Sequence, residues 1–120
     1  MRNDPRNPLE ADEQQAVVKW LRLRRVRFTH VPNQGMFPVQ YRAKLSRMGL
    51  QSGIPDILIF SPPPHFAIYV GVGLEMKRIH GGRVSAEQQA WMAELERLNW
   101  RCFTAHGAMD AIRQLEYLGY

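Results

Sequence analysis

Two strongly β-prone apolar runs dominate the pattern of the chain, one over residues 53–60 and one over residues 67–77. A proline triplet at residues 62–64 lies between them, and proline stops a strand because it has no N–H to donate to the ladder. The two runs are therefore predicted to form the strands of an antiparallel hairpin. Gly71 and Gly73 inside the second run predict a bulge or a close contact with a helix.

Three further elements are predicted before this hairpin. A helix is expected to begin near Pro8 or Leu9, because acidic residues crowd its first turn at the positive end of the helix dipole. Its apolar stripe consists of Val17, Trp20 and Leu21. Alternating polar and apolar residues over 27–31 predict a first strand, and residues 41–48 predict a short helix that the following glycine ends.

Three elements are also predicted after the hairpin. Ser85 to Gln88 form a capping box that starts a helix, residues 101–105 form the last strand, and residues 108–118 form an amphipathic helix. The apolar face of the first helix consists of Trp91, Leu95 and Leu98. The apolar face of the last helix consists of Ala111, Ile112, Leu115 and Leu118.

The order of these elements is helix, strand, short helix, strand, strand, helix, strand, helix. It predicts an α/β sandwich with a mixed central β-sheet flanked by helices, in which residues 75–105 make a β-α-β crossover. A length of 120 residues suits a single domain over residues 1–120. Residues 1–8 are polar and contain two prolines, so we expect them to form a loose lead-in.

Composition changes this picture in two ways. The net charge of +5, mostly from arginine, predicts a polyanionic partner, and nucleic acid is the first candidate. A single cysteine, Cys102, excludes an internal disulfide and fits a reducing cytoplasm. The sequence shows no apolar stretch long enough to span a bilayer and no signal peptide, and the four histidines lack zinc-ligand spacing.

The hairpin carries acidic residues at the point where its two ends would meet. Asp56 opens the first run, and Glu75 and Lys77 close the second. Side chains two residues apart on a strand share a face, so Glu75 and Lys77 project together, while Leu74 and Met76 project to the other side. Antiparallel pairing would bring Asp56 beside them, so the sequence predicts two carboxylates and one ammonium at one end of the sheet.

This set of groups is the chemistry that a metal-dependent phosphodiesterase needs. Magnesium takes oxygen ligands from a few carboxylates, and a bound metal lowers the pKa of its water and shields phosphoryl charge. A nearby lysine can orient the attacking water or stabilise developing charge. The alternative is an ion pair that only stabilises the strand end.

The first helix carries a further carboxylate on its core-facing stripe. Glu10 lies there, with Gln14 one turn later. Complementation of the helix dipole and a role as an active-site acid are both open explanations. Glu13 is the reserve candidate, because it too lies one turn from Val17.

Basic residues surround the predicted site. Arg78 and Arg83 belong to a glycine-rich loop over residues 78–83 that leaves the acid-bearing strand directly, which suggests a loop that holds DNA. The short helix adds Arg42, Lys44 and Arg47 near the start of the hairpin. Four arginines at the end of the first helix either match its dipole on a solvated face or contact phosphates as a cluster. They are Arg22, Arg24, Arg25 and Arg27.

The sequence Gly-Ile-Pro-Asp at 53–56, followed by Leu-Glu-Met-Lys at 74–77, resembles the PD-(D/E)xK nuclease motif. The wider pattern resembles the VRR-NUC branch, the virus-type replication-repair nuclease domain. Further matching pieces are Glu10 to Gln14, Val31 to Asn33, Gly49-Leu50 and Ser85 to Gln88. The resemblance covers nearly the whole chain in the family's order, and it implies a restriction-endonuclease-like core.

The resemblance also implies the roles of individual residues in hydrolysis of DNA phosphodiester bonds. Asp56 and Glu75 would hold Mg²⁺ or Mn²⁺ together with the backbone carbonyl of Met76, and Lys77 would position or activate the water. Glu10 would act directly or through water as a further acid, because the branch carries a glutamate four residues before a glutamine. Gln88 would support the site, in addition to its place in the capping box.

Within the family, stand-alone domains of this size resemble phage-encoded nucleases that resolve branched DNA, which implies the cytoplasm of a bacterial or phage-infected cell. The resemblance therefore implies an endonuclease that resolves four-way (Holliday) junctions as a homodimer. Apolar residues in loops or terminal segments are consistent with an interface, although each could pack against its own core. They are Met36, Phe37, Tyr41, Tyr117 and Tyr120. The alternatives are a flap- or end-processing nuclease, a catalytically relict DNA-binding accessory protein, and a protein–protein module with a structural ion network.

Overall fold

The computed structural model describes residues 5–120, apart from the side chain at position 34. Four helices and four strands follow one another in the predicted order, so the predicted α/β class is confirmed. The elements are α1 (Glu10–Leu23), β1 (Phe28–His30), a 3-10 turn (Gln34–Met36), α2 (Val39–Arg47), β2 (Ile57–Ile59), β3 (Gly71–Lys77), α3 (Ala86–Arg97), β4 (Trp100–His106) and α4 (Ala108–Tyr117).

The four strands form one mixed sheet in the order β1-β2-β3-β4. β2 runs antiparallel to both β1 and β3, whereas β3 and β4 are parallel and are joined by α3 in the predicted crossover. Ile57 lies opposite Leu74 and Ile59 lies opposite Val72. This register brings the residue before Ile57 level with the residue after Leu74, as the hairpin prediction requires.

The strands of the hairpin are shorter than the apolar runs. The second run was predicted as strand from residue 67, but β3 begins only at Gly71. The residues before it fold into successive turns, in which Phe66 N donates to Pro63 O and Tyr69 N donates to Phe66 O. These local hydrogen bonds, set up by the proline triplet, take the backbone groups that a longer ladder would have used.

Both glycines of the second run lie against the neighbouring strand β4. The pairing of β2 with β3 runs without an extra residue along the described strands, so the predicted bulge is not present there. A Cβ on Gly71 would lie 2.6 Å from the Trp100 ring, and one on Gly73 would lie 2.9 Å from the Cys102 sulfur. The glycines therefore make room for side chains of β4. The prediction that they contact a helix was wrong.

The hydrophobic core lies between one face of the sheet and the helices α1 and α4. Leu74 and Met76 project into it from β3, every residue of which is buried. The core-forming side chains of the two helices are Val17, Leu21, Ala111, Leu115 and Leu118. The opposite helix, α3, is only half-covered, and Leu98 is exposed because it stands at the C-cap, where the chain turns back into β4. The prediction that Leu98 belongs to the apolar face of α3 was therefore wrong.

Helix α2 begins two residues earlier than predicted, directly after Pro38, and gives way to Gly49 at φ +110°. Proline suits a helix start because the first backbone N–H groups of a helix have no partner within it, and proline has no N–H to leave unsatisfied. The structure describes every residue of α2, and none of them is buried. This helix therefore adds nothing to the core and presents its side chains at the surface.

Candidate active site

Three carboxylates from three different elements converge at one end of the sheet. Glu10 is the first residue of α1, Asp56 immediately precedes β2, and Glu75 lies near the end of β3. One oxygen atom from each of them lies within 4.8 Å of the others. The structure thus brings together the two acids of the hairpin and the predicted acid of the first helix.

Contacts from the two neighbouring strand segments hold Asp56 in place. Its Oδ2 accepts a hydrogen bond of 2.7 Å from the backbone N–H of Met76. Its own carbonyl accepts from Val31 N at 2.8 Å and lies 3.0 Å from His30 Nδ1. Because neighbouring strands supply these partners, the carboxylate is fixed before any ligand arrives.

Glu75 has a side chain that is almost fully buried, with 2% of its surface exposed. Burial, followed by the charge and hydrogen bond of Asp56, raises the pKa of Glu75 to about 8, although the charge of Lys77 opposes this shift. Burial also raises the pKa of Glu10, although the charge of Lys77 opposes it. Three carboxylates so close together favour either a shared proton or a bound cation.

Lys77 lies beside these acids with 8% of its surface exposed. Its Nζ lies 3.5 Å from Glu75 Oε2 and donates to Gln88 Oε1 at 3.3 Å. The side-chain amide of Gln88 in turn donates to Glu75 Oε2 at 2.9 Å. The ammonium group of Lys77 is therefore held next to the acid cluster, by the carboxylate of Glu75 and the amide oxygen of Gln88.

Gln88 also completes the predicted capping box of α3. Its backbone N–H donates to Ser85 Oγ at 3.1 Å, and its Oε1 accepts from Ser85 N at 2.9 Å. The same side chain thus caps α3 and contacts both Glu75 and Lys77.

Glu13 points to a different part of the molecule from Glu10. Its Oε2 accepts a hydrogen bond of 2.7 Å from the backbone N–H of Ala108, at the start of α4. It therefore caps a helix that lacks a side-chain cap of its own, since the N-cap residue there is Gly107. The geometry favours Glu10 for the acid cluster, and Glu13 joins two helices.

A cavity of about 300 Å³ opens beside the acid cluster. Asp56, Lys77, Gln88 and the predicted DNA-binding residue Arg83 line it. Ser52 and Glu87 also line it, although neither stood out in the sequence. Their place depends on Gly53, whose φ of +93° lets the loop before β2 press against the backbone of Glu87.

The predicted DNA-binding residues are distributed unevenly around this cavity. Arg78 is engaged with the backbone instead, because its guanidinium donates to the carbonyls of Pro8, at 3.2 Å, and Asn7. The Asn7 side chain pairs in both directions with the backbone of His80. Residues 7 and 8 of the predicted loose lead-in are therefore anchored, and residues 1–4 lie outside the described part of the chain.

The other predicted cations lie on helices. Arg42 lines a second cavity that adjoins the first, and Lys44 and Arg47 are exposed on the same helix α2. Among the arginines that end α1, Arg24 lies 3.9 Å above the ring of Trp20. The sequence pattern contains no signal for the Asn7–Arg78 contacts, because they join segments about seventy residues apart.

Comparison with known proteins decides the family. A family model, the VRR-NUC domain, matches residues 9–109, which include every residue of the acid cluster and the Lys77–Gln88 pair. The chain belongs to the VRR-NUC family. A solved structure described as a VRR_NUC domain protein covers 92% of this chain and 87% of its own, with a TM-score of 0.74 and 21% identity. None of the curated proteins compared with the chain matches it.

Membership of the VRR-NUC family implies a nuclease of the PD-(D/E)xK type, for which DNA is the substrate. The likeness to the solved structure, at its low identity, concerns the fold. The three-acid cluster is a candidate metal site for such an enzyme. Among the described residues, no helix is both long and apolar enough to cross a membrane.

Proposed function

We propose that this VRR-NUC chain is a Mg²⁺- or Mn²⁺-dependent, structure-specific DNA endonuclease that resolves four-way junctions as a homodimer. The observation that carries the catalytic part is the set of three carboxylate oxygens within 4.8 Å of one another, beside a lysine that is almost fully buried. Burying several acids together costs stability unless a cation or a proton compensates their charge.

The donor set fits a hard divalent cation. Asp56 and Glu75 would hold the ion together with the carbonyl of Met76, and Glu10 would join them directly or through water. Mg²⁺ and Mn²⁺ prefer oxygen ligands of this kind, whereas the described site offers no thiolate and no cluster of imidazoles. The bound ion supplies an activated water molecule and neutralises charge on the phosphate.

Lys77 and Gln88 have separate tasks in this proposal. Lys77 positions or activates the attacking water, and the charge on its ammonium stabilises the charge that develops on the phosphate. Gln88 orients both Lys77 and Glu75 through its side-chain amide. Because the same amide caps α3, the start of that helix fixes the spacing between the two charged groups.

Cations around the cavity would hold the DNA backbone. Arg83 is the strongest candidate, because it lines the same cavity as Asp56 and Lys77. Arg42, Lys44 and Arg47 extend the positive surface along α2. We retain Arg78 as a DNA-binding candidate, with the added role of anchoring the residues that precede Glu10.

Homodimerisation follows from the number of cuts. One chain carries one motif set and so makes one cut, whereas resolving a junction requires two symmetry-related cuts. A two-fold dimer supplies them most simply. Tyr117, 71% of which is exposed, is the strongest interface candidate, whereas Tyr120 is half-buried and donates to Ser61 O at 2.5 Å within its own chain.

The deciding experiment is cleavage of linear, flapped and four-way DNA of equal length, with Mg²⁺, with Mn²⁺ and with chelator. Paired symmetrical cuts in the four-way substrate, together with a dimer by sedimentation equilibrium at micromolar concentration, are the expected result. A monomer that cuts flaps or ends would replace junction resolution by strand processing. DNA binding without cleavage under every condition would indicate a relict accessory protein.

A further inference from the structure

Residues 14–55 contain eight lysines and arginines and no aspartate or glutamate. Half of the sixteen basic residues of the chain therefore lie in one segment without an acidic neighbour in sequence. Helix α2 lies inside this segment and carries Arg42, Lys44 and Arg47. A surface with this charge attracts a polyanion and repels a copy of itself.

Two aromatic side chains outside the core cluster lie at the start of this helix: Tyr41 belongs to α2, and Phe37 lies two residues before it. The rings of Phe37 and Tyr41 have their centroids 5.6 Å apart and their planes tilted by 33°. Tyr41 is 49% exposed and the neighbouring Met36 is 83% exposed. We call the pair Phe37 and Tyr41 the aromatic platform. Phe37 is half-buried, and the two rings together offer an apolar surface to a ligand beside a helix without buried residues.

Helix α2, which carries Tyr41 of the aromatic platform, borders the route into the active site. The cavity beside α2 is lined by Val39 and Arg42, and it shares Asn33 and Ser52 with the cavity that contains Asp56 and Lys77. A DNA strand that leaves the acid cluster in this direction would therefore pass α2.

We propose that the aromatic platform stacks on an unpaired base of the DNA strand whose phosphates Arg42, Lys44 and Arg47 contact. Paired bases inside a duplex already stack on their neighbours, so only an unpaired nucleotide offers a free face to Tyr41. This inference rests on the proposed function and specifies it further, because it makes an unpaired base at a branch point or strand end the feature that is recognised.

A second copy of the chain is the competing occupant of this surface. In a two-fold symmetric contact through α2, the same patch of both chains would meet. Arg42, Lys44 and Arg47 would then face themselves, and residues 14–55 contain no carboxylate to pair with them. The charge distribution thus favours DNA at α2 and leaves the dimer contact to another surface.

The test compares a double variant, Phe37→Leu with Tyr41→Leu, with the conservative variant Tyr41→Phe, which keeps the ring. Both are made in an Asp56→Asn background, so that binding is measured without cleavage. Three DNAs of equal charge are used: a blunt duplex, a duplex with a single-stranded tail, and a four-way junction with one unpaired nucleotide at its centre. Fluorescence anisotropy gives affinities, and 2-aminopurine at the unpaired position reports stacking directly.

We expect the leucine double variant to bind DNA containing unpaired bases about 5- to 150-fold more weakly, from a stacking contribution of about 1–3 kcal/mol per base. The Tyr41→Phe variant should bind like the parent. Affinity for blunt duplex and the salt dependence of binding should not change, because the cations remain. Loss on the tailed duplex alone would place the platform at a strand end, and loss on the junction as well would place it at branch points.

Two results would overturn the inference: equal weakening on all three DNAs, or an unchanged 2-aminopurine signal. Sedimentation showing that the double variant loses a dimer that the parent forms would assign α2 to self-association instead. Circular dichroism checks folding, and the single Phe37→Leu and Tyr41→Leu variants replace the pair if it unfolds. A wild-type chain that cleaves no DNA would refute the proposed function, while these binding results would still decide the role of the platform.

Discussion

The side-chain amide of Gln88 donates a hydrogen bond of 2.9 Å to Glu75, across the crossover that joins β3 to α3. Its oxygen accepts from Lys77 Nζ, so one amide holds the carboxylate and the ammonium of the strand-end motif at once. In the proposed mechanism, Gln88 is therefore a positioning residue, whose effect on the reaction would pass through these two partners.

Removing this amide should slow cleavage more than it destabilises the fold. We expect Gln88→Ala to lower the cleavage rate by about 10- to 100-fold, the usual effect of losing a residue that orients metal ligands. Ser85→Ala is the matched control, because it removes the other half of the capping box and costs about 0.5–2 kcal/mol of stability. Equal rates for both variants would assign Gln88 to the helix cap alone. Thermal melts and single-turnover kinetics provide the comparison.

Asp56→Asn or Lys77→Ala should abolish cleavage and leave fold and DNA affinity largely intact. The first change removes a charged metal ligand, and the second removes the group that positions water, whereas phosphate contacts elsewhere persist. Gel shifts and cleavage assays on the same DNA separate binding from chemistry. Cleavage that survives in both variants would move the active site away from the hairpin.

Glu10 and Glu13 should separate into a catalytic and a structural acid. Glu10→Gln is expected to reduce cleavage strongly and to preserve or slightly raise thermal stability, because it removes a partly buried charge from a group of acids. Glu13→Gln should weaken the contact with Ala108 N, lower the free energy of unfolding by about 1 kcal/mol and spare the reaction. The opposite pattern would identify Glu13 as the helix acid.

Divalent metal should stabilise the protein more as the pH rises towards 8. In the metal-free protein the pKa of Glu75 is raised from 4.5 to about 8. The folded state therefore keeps a proton that the unfolded state loses, and metal-free stability falls as the pH rises through this range. An ion must displace that proton, so its apparent affinity increases over the same range.

Thermal melts with and without Mg²⁺ at pH 6, 7 and 8 measure this effect. The increment in melting temperature should grow with pH in the wild type and lose this dependence in Glu75→Gln. A metal-induced increment that stays the same at all three values would show that Glu75 does not take part in binding.

Arg83→Ala should lower the slope of log affinity against log salt by about 0.9, which corresponds to one lost phosphate contact. Arg97→Ala is the control of equal charge, because it lies in the last turn of α3, at the opposite end from the cavity. Arg78→Ala should in addition lower the melting temperature, since its guanidinium anchors the carbonyl of Pro8. An unchanged slope in the Arg83 variant would show that the loop faces away from DNA.

Local patterns in the sequence were sufficient to predict the hairpin and the capping box. The pairing of Ile57 with Leu74 depends on a proline turn and alternating side chains, and the contacts of Ser85 with Gln88 span three residues. Both are set within a short stretch of chain, so short-range rules describe them well.

Features that depend on packing between distant segments could not be predicted in this way. Glu10 and Glu13 lie three residues apart on one helix, and their separation depends on how α1 packs against α4. The fit of Gly73 beside Cys102 likewise requires the position of β4 to be known. These relationships arise from tertiary contacts, about which helical or strand periodicity carries no information.

The three acids of the site stand at positions 10, 56 and 75, and α1, which carries the first of them, packs partly against α4. Glu13 makes this docking specific through Ala108. Because β3 supplies only part of the surface on which α1 packs, we expect the first acid to be held firmly only after residues 108–117 have left the ribosome. We therefore expect an incomplete chain to expose the motif strands without a firmly assembled acid cluster, so that the order of the elements would delay cleavage until folding is finished.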